Sequence, residues 1–561
     1  MRDGEHTHAI VRFAALAVIV AVGAALRLWQ YLADASLWVD EAALARNIVD
    51  RSPAGLLAPL DYGQAAPWGF LLIEKLAVAV FGNTEYALRL FPLLCGCAAL
   101  ALMYVIAREI LDEVGLLVAL TMLALGIPFV FFSSQVKPYA CDVAATLLVA
   151  VLALRGLRRR TTAAAVALGI AGAVIPFFSF ASVVVLAGAG AALVTFAGRG
   201  ERPVAPVLIA VGCWCAGALL TVAVAHASMT AADRAFMHRY WADGFAPPPH
   251  TLRDLLWPWH QLNAAFGVFS KAPPTLDGGT HYRYPVVFAV LSLAGVWSLS
   301  RRGAHVAAFV AFPALLAVGA AAAHAYPLSG RVAVYLIPLF ILAVAAAVED
   351  AWRVATRVVG VASLAIPAVV VLVGVQAIVR TPPPDRQEDM KSVLSYVRAH
   401  REPDDGVYAY YGAGQALLYY APRYGFAPDD YVVGSCARHE PRVYLRELDR
   451  FREHRRAWAV FSHSLQNGRE IRLMTGYLDR IGRRLDMVPA TDSPLGAGAY
   501  AFLYDLSDPD RLAAASAETF RVPSDAPDTS WLCYGTMTPL APTAPSSIGS
   551  YFTVKSATNG R

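Results

Sequence analysis

The chain has 561 residues, 57% hydrophobic and only 16% charged, with a mean hydropathy of +0.48. A soluble protein would carry about a quarter charged residues, so composition excludes that class and points to a polytopic membrane protein. The net charge of +5 implies no nucleic-acid partner, because the arginines sit in short loops where they act as topology signals.

The imbalance is regional: apolar runs fill residues 10–380, whereas 381–561 has an ordinary soluble composition. A crossing needs roughly 20 apolar residues. On that rule the sequence predicts eleven transmembrane helices, at 10–29, 87–107, 115–132, 139–155, 162–178, 181–197, 204–226, 284–299, 304–323, 332–348 and 358–379. Four basic connections, "RGLRRR" (155–160), "GRGER" (198–202), "SRRG" (300–303) and "EDAWRVATR" (349–357), fall on one side if the N-terminus is cytoplasmic and the C-terminal region is outside. The stretch "PWGFLLIEKLAVAVFG" (67–82) is short and carries Glu74 and Lys75. Counting it as a crossing would send "RGLRRR" outside, so it is expected to lie in the outer interface as an amphipathic helix. That leaves a transmembrane domain, 1–380, with long outer loops at 30–86 and 227–283 and shorter outer connections at 133–138 and 324–331. The first span resembles a signal peptide, with Arg2 and Arg12 ahead of it, but no small-x-small cleavage site follows, and an uncleaved anchor is expected.

Four outward-facing clusters could carry chemistry. In "SLWVDEAAL" the carboxylates Asp40 and Glu41 are adjacent, just after the first span. In "SSQVKPYACD" Lys137 stands at the mouth of the fourth span, with Asp142 about one turn inside it. "FMHRYWADGFAPPP" holds Tyr240 and Trp241, and "HAYPLSGR" ends in Arg331. Each also has a structural reading: a solvated loop or helix cap for the acids, snorkelling for Lys137 and Arg331, an aromatic belt for Tyr240 and Trp241. Two acids and two bases arriving at one membrane face, with a carboxylate inside a span, favour function.

The order of "WVDEAALARNIV", "PWGFLLIEKLAVAVFGNTEYALRLFPLLCGCAAL", "SSQVKPYACD" and "YPLSGRVAVYLIPLF" resembles the C-type glycosyltransferase superfamily, in its protein O-mannosyltransferase and aminoarabinose-lipid A transferase branch (family 39-like). The resemblance covers roughly residues 10–350 and implies a C-type glycosyltransferase fold. It further implies inverting transfer of a sugar from a polyprenyl-phosphate donor to a lipid, glycan or protein acceptor, at the outer face of a bacterial inner membrane. By motif position Asp40 would be the general base, Glu41 its neighbour in the acid pair and Asp142 a further catalytic acid. Lys137, Arg331 and Arg89 would meet the donor phosphate, although Arg89 equally suits a structural role. Tyr240 and Trp241 are assigned acceptor or lid duties. No acid-x-acid motif stands in the second outer loop and no zinc spacing occurs, which argues against an obligatory metal, and a divalent metal stays open with Asp40 as its candidate ligand. The alternative class is a lipid or glycan transporter, disfavoured because transporters place charges near the bilayer midplane.

Residues 381–561 alternate helical and strand-like segments and predict a small periplasmic α/β domain acting as a cap. "QEDMKSVLSYVRAH", "PRVYLRELDRFREHR" and "EIRLMTGYLDRIGRRL" read as helices; "GVYAYY", "AWAVFSH" and "GAYAFLYDL" read as strands. Of seven cysteines only Cys436 and Cys533 fall here, and an oxidising compartment would pair them, pinning the segment around "SWLCYG". The last thirty or so residues, rich in Thr, Ser, Pro and Gly, are expected to be poorly ordered.

Overall fold

The computed structural model describes residues 2–158, 161–197, 204–261, 285–464, 468–489, 498–522 and 533. The expectations for "GRGER", the end of "RGLRRR", the later part of the 227–283 loop and the final tail lie outside the described residues.

In chain order the helices of the membrane region are α1 (Arg2–Leu32), α2 (Val39–Asp50), α3 (Trp68–Phe81), α4 (Glu85–Ile110), α5 (Glu113–Leu125), α6 (Ile127–Phe131), α7 (Tyr139–Arg158), α8 (Thr162–Val174), α9 (Ser182–Phe196), α10 (Val204–Ala227), α11 (Ala231–Tyr240), α12 (Pro285–Arg302), α13 (Ala304–Ala322), α14 (Ile337–Val359) and α15 (Ala365–Arg380). Every apolar segment picked out by composition is therefore helical where described, since spanning backbone must satisfy its own hydrogen bonds. Six of the described helical segments are long and apolar enough to cross a bilayer, seven if a bent pair counts as one. Large apolar side chains such as Leu219, Leu293 and Leu372 are exposed on the surface, as lipid contact requires. The chain is a multi-pass, mostly helical membrane protein.

Two expectations need correction. The segment 115–132 is not one straight span: α5 and α6 meet at Gly126 with a bend of 56°. Pro128 lacks an N–H and cannot continue the ladder. The carbonyls released at the break are taken by Arg27 of α1, which donates to Leu123 at 3.0 Å and to Ala124 at 3.3 Å. The segment 349–357, expected as a loop, is helix: α14 runs to Val359 and ends where Gly360 takes a φ of +58°. Within α14 Glu349 and Asp350 pair with Arg302 and Arg353, so the charges anchor a helix end instead of a connection.

Helix α3 occupies the stretch expected as an interfacial helix. Its outer face shows Leu76, Val80 and Phe81, while Glu74 is buried with neither carboxylate oxygen hydrogen-bonded.

After Arg380 the chain forms a five-stranded sheet of β1 (Gly406–Ala409), β2 (Val432–Val433), β3 (Arg456–Phe461), β4 (Arg483–Pro489) and β5 (Tyr500–Asp505), ordered β2-β1-β3-β5-β4. β1 is parallel to β2 and β3; β5 is antiparallel to β3 and β4. One face carries α16 (Met390–His400) and α17 (Gly414–Tyr420), the other α18 (Arg442–Asp449) and α19 (Arg469–Ile481). The sequence reading missed β2, α17 and β4. It ran the helix at 470–485 too far, because the arginines after Ile481 continue a helix-like pattern while their backbone pairs with β5.

The sheet domain docks on the segment between α1 and α4. Val393, Leu394 and Val460 share one apolar core with Leu44, Ile48 and Phe70. Around it Ser36 donates to Asp389 at 2.8 Å, Arg46 to Gln415 at 2.7 Å, and Lys391 pairs with Asp34 at 2.8 Å. Cys436 and Cys533 are joined by a disulfide.

Candidate active site

Asp40 lies in the first turn of α2, whose opening N–H, on Val39, is accepted by Glu388 at 2.9 Å. That places its carboxylate 2.5 Å from Nη2 of Arg331, at the start of the 3₁₀ turn Gly330–Leu336. Both side chains are 23% exposed, open enough for a ligand to reach them. The guanidinium sits among aromatic rings: Trp38 at 5.3 Å, Trp241 at 5.5 Å and Tyr139 at 6.0 Å. Burial alone would raise the Asp40 pKa, but Arg331, Lys137 and His463 hold it below the usual carboxylate range. Burial opposes the charge of Arg331 too, yet Tyr139, Asp40 and Tyr240 outweigh it and raise its pKa. Lys137 completes the cationic side. Its Nζ donates to Gln64 at 2.6 Å, and burial brings its pKa down to about 8, held up in part by Asp40. Gln135, two residues earlier, accepts from the Trp38 indole at 2.6 Å.

Glu41 looks elsewhere. Successive helical residues point about 100° apart, so when Asp40 faces Arg331, Glu41 turns inward, where it is 0% exposed. Arg89 of α4 grips it through Nε at 3.0 Å and Nη2 at 2.7 Å, and Glu41 also accepts the Val136 N–H at 2.7 Å. Arg89 also donates from Nη1 and Nη2 to the carbonyls of Ala35 and Ser36. The structure thus turns Arg89 onto Glu41 instead of outward to a donor phosphate. It makes the pair a brace between α2, α4 and the loop carrying Lys137.

Asp142 sits in the first turn of α7, buried, with Oδ1 unbonded. Its neighbours are Ser179, Tyr326 and Tyr335, and the Tyr335 hydroxyl also lacks a partner. Tyr139, one turn earlier, feels Asp40, Arg331 and Asp142 together, which links the two acids into one region. Tyr240 and Trp241 close α11 over Arg331.

Two residues of the site escaped the sequence reading. His463, just after β3, brings its ring within 6.5 Å of Trp38 and pairs through Nδ1 with Glu388 at 2.7 Å. Burial lowers its pKa, but Glu388 and Asp40 outweigh burial and raise it. His463 and Glu388 both hold positive φ, 51° and 47°, a backbone state that surrounding contacts must sustain. The available signal was positional: His463 stands at the end of a predicted strand.

Among the described residues no three His, Cys, Asp or Glu side chains converge, and Asp40 is already faced by two cations.

Residues 65–227 match the family model described as dolichyl-phosphate-mannose-protein mannosyltransferase. The match covers less than a third of the chain. The matched stretch runs from α3 to the end of α10 and includes Arg89, Lys137 and Asp142. Among solved structures the chain is similar to ArnT from Cupriavidus metallidurans bound to undecaprenyl phosphate. That similarity is 12% identity and a TM-score of 0.45, covering 89% of this chain and 98% of that one. It is also similar to the oligosaccharyltransferase AglB from Archaeoglobus fulgidus in complex with an inhibitory peptide and a dolichol-phosphate, at 13% identity and a TM-score of 0.44, covering 87% and 74%. No curated protein gave a significant match.

Proposed function

We propose that this chain transfers a sugar from a polyprenyl-phosphate donor to a lipid, cell-envelope glycan or protein acceptor, by inverting displacement at the outer face of the bacterial inner membrane. One observation carries the reading: a carboxylate and two cations, Asp40 with Arg331 and Lys137, meet beneath aromatic rings beside the docked sheet domain. The name of the matched family supports a lipid-phosphate sugar as donor. Loop charges place this end of the bundle outside, with the N-terminus cytoplasmic.

In the reaction the acceptor oxygen attacks the anomeric carbon from the side opposite the phosphate. The new C–O bond forms as the bond to the phosphate oxygen breaks with its electron pair. Asp40 takes the acceptor's proton, and Arg331 and Lys137 hold the charge on the released lipid phosphate. Without donor, Asp40 and Arg331 neutralise each other. A donor phosphate competes for Arg331, so Asp40 loses its nearest cation and gains proton affinity as the acceptor arrives. Glu41 and Arg89 act as positioning residues, Asp142 faces the sugar from the span below, and Tyr240 with Trp241 closes the site. Supplying membranes with radiolabelled polyprenyl-phosphate sugars tests the reading. Wild type should label an acceptor fraction and Asp40→Asn should not; equal labelling removes Asp40 from the base role.

A further inference from the structure

The sheet domain has a topological switch point that the transfer step above does not use. From β1 the chain passes through α17 to β2 on one side. From β2 it passes through α18 to β3 on the other side of β1, so the winding reverses between β1 and β3. Open α/β sheets bind ligands at the carboxyl ends of the strands, at that reversal.

The segments leaving those ends bring polar side chains together. Tyr411 follows β1, Arg438 follows β2, and Ser462 and His463 follow β3. Gly412 fits because a Cβ there would stand 2.7 Å from the Ser462 carbonyl oxygen and 3.0 Å from that of His463. Arg438 is only 5% exposed, yet its Nε and Nη1 have no hydrogen-bond partner; neither does the Tyr411 hydroxyl nor the Ser462 hydroxyl, both buried. The guanidinium lies 5.2 Å from the Tyr411 ring centroid. Among the described residues its carboxylate neighbour is Glu470, 3.8 Å away, which accepts from the Tyr410 hydroxyl. Burial pushes Glu470 up to about 7, so it neutralises Arg438 only in part. A buried guanidinium with free donors is expensive unless an anion completes it.

We propose that this cluster at the strand ends binds an anionic group of the acceptor, a phosphate or a carboxylate, through Arg438, Tyr411 and Ser462. His463 connects it to the reaction: the same imidazole feels both Arg438 and Asp40. An acceptor anchored by its anion at the strand ends would reach past His463 to present a hydroxyl to Asp40. The assignment of the ligand as acceptor rests on the transferase reading; the anion site itself does not.

The probe is inorganic phosphate, titrated by calorimetry into the full-length chain in detergent at constant ionic strength. In an Arg331→Gln background, which removes the donor-phosphate fork, a phosphate site should remain; adding Arg438→Gln should weaken it about tenfold or more, and Arg438→Lys should fall between because the fork is lost. Equal affinity with and without Arg438→Gln in that background overturns the site, as does loss of all phosphate binding on Arg331→Gln alone, which would put the anion on the donor side. If Arg438→Gln fails to fold, Ser462→Ala takes its place; it should weaken binding severalfold, and unchanged binding overturns the proposal. Phosphate should also inhibit label transfer into native membranes without displacing bound polyprenyl phosphate; displacement overturns the acceptor assignment. Absence of transfer by wild type from any polyprenyl-phosphate sugar would sink the transferase reading and leave the calorimetry to judge the cluster.

Discussion

Arg89 and Glu41, 48 residues apart, form a two-pronged ion pair with contacts of 3.0 and 2.7 Å, and neither is more than 4% exposed. The neighbouring carboxylate, Asp40, is held by a different arginine and is open to a ligand. Two adjacent acids therefore have different work. One braces the scaffold and the other is left accessible, as the proposed base role requires.

The first prediction follows from that division. Asp40→Asn should reduce transfer by about 10²–10⁴-fold while leaving the apparent Tm within a degree or so, since the amide fits the same space. Transfer assays and thermal unfolding on the same purified samples check it; wild-type-like turnover would falsify the base assignment.

Glu41→Ala should behave the opposite way. Removing one partner of a buried pair leaves Arg89 charged and unpaired, at a cost of about 3–5 kcal/mol. The expected result is a lowered Tm and reduced recovery from membranes, with activity per folded molecule falling less than in Asp40→Asn. An unchanged Tm would show that the brace carries no stability.

Arg331→Ala should weaken use of the polyprenyl-phosphate donor more than use of the acceptor, read as the change in apparent KM for each. Arg331→Lys should recover only part, because a point charge replaces a planar fork. Lys137 adds a pH dependence: with its pKa near about 8, its charge, and with it donor affinity, should decline as pH rises through that value. A flat donor KM between pH 7 and pH 9 would remove Lys137 from the phosphate site.

Glu74 should set a pH dependence of stability. Burial raises its pKa well above the ordinary carboxylate value, so the folded protein holds this proton more tightly than the unfolded chain. Stability from that proton is complete below the unfolded value of about 4.3 and is lost as pH climbs towards the folded value. Thermal unfolding in detergent should therefore show the apparent Tm falling with rising pH in wild type and falling less in Glu74→Gln. Identical profiles would mean that another group controls the slope.

The disulfide closes a separation of 97 residues, which the chain-entropy model values at up to about 4–5 kcal/mol. Reduction, or Cys436→Ser, should release Cys533 from the sheet domain and increase protease cleavage there. A non-reducing peptide map should contain one linked peptide with both residues; two free thiols there would contradict the bond.

Membrane class, the helical segments, the ordered acids and bases and the alternating character of the C-terminal domain were all legible in the sequence. Each depends on local information: apolar run length, charge in short connections, spacing within a motif. Tertiary structure alone decided that Asp40 meets Arg331 while Glu41 meets Arg89, since both acids are adjacent in the chain and only packing orients α2. It also decided that Arg27 tolerates the break at Gly126, that α14 runs through an apparent loop, and that β4 leaves the helical pattern to pair with β5. His463 and Glu388 enter the site from more than 340 residues beyond Asp40, through backbone conformations that no local preference favours. Local pattern chooses the elements. Which side chains face one another depends on long-range pairs whose energy exists only once those elements have packed.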